Sequence, residues 1–188
     1  MLIDTIEPDR EFVQRVSVHV NAPPREAMRA LREVTLGDMP VASFFGDLRY
    51  LPGRIAGRVR KTGGNTPFLE QLLEGGNVML ANRDDDIVVG GIGKYHQIVD
   101  QEPLRIPDAM FYEQFDGSAY EKLAMEVCAL PKDGGCDLVL EARTHPLGPA
   151  SRKAFARYWK VIDPMGRFVS WLLLRAAKRR AERVNSPA

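Results

Sequence analysis

At 188 residues, 45% hydrophobic and 27% charged, the chain is long enough to bury a full core and reads as one globular domain spanning 1–188. A net charge of +1 supplies no global field to draw in nucleic acid or an acidic substrate, although the last stretch is locally basic. No apolar run approaches the ~18 residues of a spanning helix, and the opening MLIDTIEPDR lacks the apolar core of a signal peptide, so a soluble, cytoplasmic protein is expected.

Residues 11–20 (EFVQRVSVHV) alternate, with Phe12, Val16, Val18 and Val20 among polar neighbours, which predicts a strand with one dry face. The prolines at 23 and 24 then suit a helix start, and 25–34 places Ala27, Met28, Leu31 and Val34 on one stripe. In 37–50, Pro40, Gly46 and the Phe44–Phe45 pair suggest a short apolar helix or turn. The Gly- and Arg-rich run 51–64 (LPGRIAGRVRKTGG) has no period and reads as a mobile flap or an edge strand. Thr66 is the expected N-cap of a short helix with Pro67 in its first turn, carrying Phe68, Leu69, Leu72 and Leu73 and ended by Gly75–Gly76.

Two strands follow, 77–82 and 87–95, joined by an acidic turn. Gly90, Gly91 and Gly93 in the second point to a bulge, a bend or a close approach, and a strongly bent sheet is the preferred reading. GGIG is no dinucleotide fingerprint, because it neither follows a strand nor opens a helix. A short helix over 108–115 is stopped by Asp116–Gly117. A hairpin then has arms at 119–130 and 136–145 around the turn PKDGG. Cys128 and Cys136 flank that turn and are expected to be reduced, structural thiols.

The longest helical segment runs from 148 to 183 and carries both tryptophans. Pro164 removes an N–H and opposes the carbonyl of Lys160, which predicts a kink, or a restart capped by Asp163. Strand, helices, a run of strands and a long terminal helix is an α+β order built on an antiparallel sheet.

HVNAPPREAMRAL near the start is similar to the first strand, turn and helix of the START-like (SRPBCC) helix-grip superfamily, which includes polyketide cyclases, aromatases and lipid-transfer domains. FDGSAYEKLAMEV, LEARTHPLGPASRKAFARYWKVIDPMG and LLRAAKRRAE resemble a bacterial subgroup of it. The resemblance covers 11 to about 183, and its motifs are specific in the last 70 residues or so. That subgroup often has small polar residues after the kink proline, where this chain has Met165, Gly166 and Arg167. The resemblance implies a curved antiparallel sheet wrapped around a long, kinked C-terminal helix, with a cavity between them for a small apolar or amphipathic molecule.

Catalytic constellations are scarce. There is no H-E-x-x-H, C-x-x-C or G-x-S-x-G, so neither a metal nor a cofactor is expected. His19, His96 and His145 fall at strand ends, where solvated or core-edge histidines are common. Glu141, Arg143 and His145 share one strand face, with Lys122 and Glu126 on the partner arm. Turned inward, this set offers acid, base and anion-binding groups. Turned to water, it is a cross-strand charge ladder, the favoured reading, since Leu138, Leu140, Ala142 and Thr144 make the drier face.

Tyr95, Tyr120, Tyr158 and Trp159 are the candidate aromatic linings, against a plain core-packing role, and Arg49 with Tyr50 is a candidate for the cavity mouth. With Arg143, these make the ligand-binding set Arg49, Tyr95, Tyr120, Arg143, Tyr158 and Trp159. In the tail, Arg175, Lys178, Arg179, Arg180 and Arg183 face only Glu182 and lie beside Phe168, Trp171, Leu172 and Leu174. A solvated helix end accounts for them more simply than a membrane surface does. Three functions remain: binding of a small hydrophobic molecule, which is favoured; a cyclase/dehydratase-type enzyme; and membrane or partner binding through the tail.

Overall fold

The computed structural model describes residues 1–39, 65–97 and 104–184. Arg49, Tyr50, the rest of 40–50 and the stretch 51–64 lie outside the described residues. The chain opens with a four-residue helix, α1 (Ile3–Ile6), followed by β1 (Phe12–Val20) and α2 (Pro24–Arg32). The predicted stripe of α2 is buried, with Ala27, Met28, Ala30 and Leu31 turned inward. A 3₁₀ turn, Leu36–Asp38, is closed by a reciprocal Thr35–Asp38 capping box.

Next come α3 (Phe68–Glu74), β2 (Val78–Asn82), β3 (Asp86–Gly93), α4 (Ala109–Gln114), the hairpin β4 (Glu121–Lys132) and β5 (Gly135–Pro146), and α5 (Pro149–Val184). Thr66 does not cap α3. Pro67 holds the cap position in extended backbone and bridges to Thr35, while the Thr66 carbonyl accepts from Gln71 Nε2 at 2.7 Å. Asp108 does cap α4, accepting from Phe111 N–H at 2.8 Å.

The strands form one curved antiparallel sheet in the order β1-β5-β4-β3-β2. Strand periodicity divides every strand between two faces. On the inner face, rows run across the sheet as Phe12/Thr144/Leu123/Gly91, Gln14/Ala142/Met125/Val89 and Val16/Leu140/Val127/Ile87. This face meets α2 and α5 and holds the main core, with Leu138, Leu140, Val89, Leu173, Leu174 and Ala177 at its centre. The outer face is covered by α1, α4 and residues 104–106, over a smaller cluster around Ile92, Ile106 and Tyr112.

The three β3 glycines leave the pairing with β4 unbroken from Asp86 to Gly93, and the register shift lies in β2, between Met79 and Ala81. They permit close approach on both faces. A Cβ at Gly90 would strike Leu80 and Tyr112, and one at Gly91 would strike Asn77 and the Tyr95 hydroxyl. The hairpin turns on Asp133–Gly134, where Gly134 has φ +77°. Cys128 shares the outer row with Asp86 and Cys136 pairs with Val20 on the inner side, so the two thiols lie on opposite faces, both free and buried.

α5 neither stops nor restarts at Pro164 and is helical from 149 to 184. Asp163 takes no capping role. Its carboxylate accepts from Arg167 Nε at 2.9 Å, and its carbonyl accepts from Gln14 Nε2 at 3.1 Å. Gly166 makes that approach possible, because a Cβ there would meet the Gln14 amide. α5 also covers the edge of β1 that faces away from β5: Arg167 donates to the Val13 and Arg15 carbonyls at 3.1 and 3.3 Å, and Lys178 to the His19 carbonyl at 2.8 Å.

Candidate functional site

The inner face offers an apolar floor. Leu123, Met125 and Ala142 belong to its central rows, yet each keeps partial exposure. On the β1 side an aromatic group borders this floor. Phe12 packs edge-on against Phe155 at 5.0 Å and Trp159 at 5.6 Å, and Tyr158 lies 5.8 Å from Phe155. On the β3 side the Tyr95 ring lies over Gly91 and Gly93. From β1 to β3 is three strand spacings, about 14 Å. Toward α3 the floor continues into a cavity of about 30 Å³ lined by Leu31, Phe68, Leu69, Val89, Met125 and Leu173, with Arg32 beside it.

Glu121 begins β4 at one end of this face. It is fully buried, accepts from the Tyr95 backbone N–H at 2.7 Å, and lies 2.7 Å from His96 Nδ1. Burial raises the Glu121 carboxyl above its ordinary value, against the pull of His96. A buried carboxylate that fixes one imidazole nitrogen orients the ring and sets its tautomer.

Glu141, Arg143, Lys122 and Glu126 do share a face, as their spacing predicts, but it is neither the cavity nor an open ladder. It is the outer face, and α1 lies over it. Arg143 is fully buried, and all five of its N–H groups are used within the chain. Nε and Nη2 donate to Glu141 Oε1 at 2.8 and 2.6 Å, Nη2 also to Asp4 Oδ1 at 2.6 Å, and Nη1 to the Glu7 and Ile3 carbonyls at 2.7 and 3.3 Å. No donor is left for a ligand. Arg143 and Arg10 together hold the Asp4 carboxyl well below the usual carboxylate range.

Beside them Glu126 stands directly opposite Glu141, which Arg15 also pairs at 2.9 Å. Glu126 Oε1 accepts the Leu2 N–H at 2.7 Å, while its Oε2 and Asp86 Oδ1 find no donor. Burial, and then the neighbouring Asp86 carboxyl, push Glu126 up to about 7. Burial and these two acids push the Cys128 thiol up to about 12, which makes it an inert core thiol.

Of the six candidate ligand-binding residues, Tyr95, Tyr158 and Trp159 border the inner floor, and Arg49 lies outside the described residues. Tyr120 packs on the outer side, edge-on to Phe115 at 5.3 Å with Lys94 over its ring, and Arg143 is on that side too. All three histidines meet carboxylates: His19 with Asp137 at 2.9 Å, His96 with Glu121, and His145 with Asp9 at 2.6 Å. Glu121 and Asp86 were not among the sequence candidates. Asp86 lies in no motif and Glu121, inside FDGSAYEKLAMEV, is not marked there as a site residue; only the strand register brings each to its partner. Among the described residues, no group of three His, Cys, Asp or Glu side chains is arranged to hold a metal.

No protein-family model matches the chain, and no curated protein matches it. Among solved structures, it is similar to the crystal structure of TTHA0849 from Thermus thermophilus, with 11% identity over 93% of this chain and 99% of that one and a TM-score of 0.39.

Proposed function

We propose that this helix-grip domain, of the START-like kind its sequence resembles, binds a small apolar or amphipathic molecule against the inner face beneath α5. The observation that carries the reading is the partial exposure of Leu123, Met125 and Ala142 on a face otherwise closed by helices. A cavity of about 30 Å³ holds no more than a water, whereas small-molecule sites run to about 300 Å³ and above. Binding therefore requires a wall to move. α3 is that wall, because it carries no fully buried side chain and opens at little cost.

A thermal-shift and native mass-spectrometry screen of fatty acids, sterols and polycyclic aromatics tests the proposal. A ligand at 100 times its Kd stabilises by about 2.7 kcal/mol, a shift of several degrees in Tm. Ala142→Phe fills the floor and removes that shift while the variant stays folded. A shift of equal size in Ala142→Phe, or none in any class, rejects the site.

The enzymatic alternative, a cyclase/dehydratase-type activity on a poly-carbonyl substrate, draws its support from the Glu121–His96 pair at the end of the same floor. It requires that Glu121→Gln retain ligand binding and lose turnover.

A further inference from the structure

Between residues 149 and 183, every exposed charged side chain is a cation. The two carboxylates of α5 are engaged elsewhere: Asp163 with Arg167, and Glu182 with Lys178 at 3.2 Å and the Asn21 N–H at 2.9 Å. At 100° per residue, the exposed Lys153, Arg157, Lys160 and Arg175 fall within a sector of about 120° on the solvent side of the helix. Val161, 73% exposed, and Trp171, 36% exposed, lie in the same sector. Phe168 stacks on Trp171 at 6.0 Å, and the Arg175 guanidinium covers the Trp171 ring at 4.7 Å. The sector extends about 33 Å, from 153 to 175. Meanwhile Lys178, Arg179 and Arg180 turn back to His19 and Asp38, so the usable charge is centred on the middle of the helix and not on its tail.

We infer that this face of α5 lies on an anionic lipid bilayer, with Val161 and Trp171 entering the headgroup boundary and the cations facing lipid phosphates and carboxylates. Charge complementarity selects the partner's sign, and the exposed apolar side chains select a bilayer over a nucleic acid, whose backbone would leave Val161 uncovered. The helix lies flat, because no described helix is long and apolar enough to cross a membrane. The face is opposite the inner floor, so this inference does not depend on the proposed ligand site.

Co-sedimentation of the full chain with vesicles tests it. Binding is expected to phosphatidylcholine vesicles containing about 30% phosphatidylserine, to be lost in high salt, and to be absent with phosphatidylcholine alone. In Trp159→Phe, Trp171 is the sole tryptophan, and its fluorescence should shift to the blue and be quenched by brominated lipid. Arg157→Glu with Lys160→Glu should weaken binding about tenfold or more, and Trp171→Ser should weaken it without moving the thermal melt. The inference fails if the chain does not sediment with the anionic vesicles, if both variants bind as well as the parent, or if a single-stranded oligonucleotide is bound in preference to them.

Discussion

Glu126 shows how one side chain acquires its properties from four strands. Strand pairing sets it against Glu141, which Arg15 and Arg143 pair, and on the diagonal from Asp86, while Asp4 belongs to the overlying α1. Two buried carboxyls with one free oxygen each are best served by a shared proton. The folded value near 7 lies above the ordinary 4.5, so the folded chain holds the proton more tightly than the unfolded one. That contribution to stability is complete below about 4.5 and is lost as pH rises through about 7. Glu126→Gln keeps a donor toward Asp86 at every pH. The difference in unfolding free energy between it and the parent should therefore grow by about 1–3 kcal/mol from pH 5 to pH 8, as read by urea titration. A difference independent of pH would refute the shared proton. The sequence shows Glu126 and Glu141 on facing hairpin arms, but nothing in it marks Asp86, which lies 40 residues upstream.

At the scale of elements, α5 both covers the core and protects a sheet edge. Among the described residues β1 pairs only with β5, so its other edge presents carbonyls that a second chain could pair with. Arg167 and Lys178 occupy three of them, and Gln14 fixes the crossing point at the carbonyl of Asp163. Arg167→Ala should cost about 1–2 kcal/mol and speed hydrogen exchange in β1 above all, with α2 and β3 changing little. Uniform acceleration across the sheet would mean that Arg167 has no local role at this edge. This edge contact was hidden because a helical wheel shows Arg167 as one more exposed cation. For most elements the pattern sufficed: alternation located β1, and the apolar stripe located α2. α1 escaped, because four residues are too few to show a period.

At the scale of the molecule, the sheet has two covered faces of different chemistry: an apolar one under α5 and a polar one under α1. Removing residues 1–10 would strip Arg143 of Asp4 and of both backbone carbonyls it binds, and leave Glu126 without the Leu2 N–H. Arg143 would keep only its bonds to Glu141, and each lost hydrogen bond to a buried charged group costs about 1.5–3 kcal/mol, so the truncated chain should unfold at much lower urea while keeping its inner-face packing. An unchanged midpoint would show that the outer face tolerates water.

By itself the sequence determined the α+β order, the strand positions and those of the helices after α1, the hairpin and the drier face of β5, because these follow from periods of 2 and 3.6 and from turn residues at fixed offsets. It also put Glu141, Arg143, Lys122 and Glu126 on one face. Only the tertiary structure decided what covers that face, since burial depends on which distant segment packs there, and α1 arrives from more than a hundred residues away. The same holds for the β3 glycines. Composition suggested a bend, and the packed rings of Tyr95 and Tyr112 supply the reason for them.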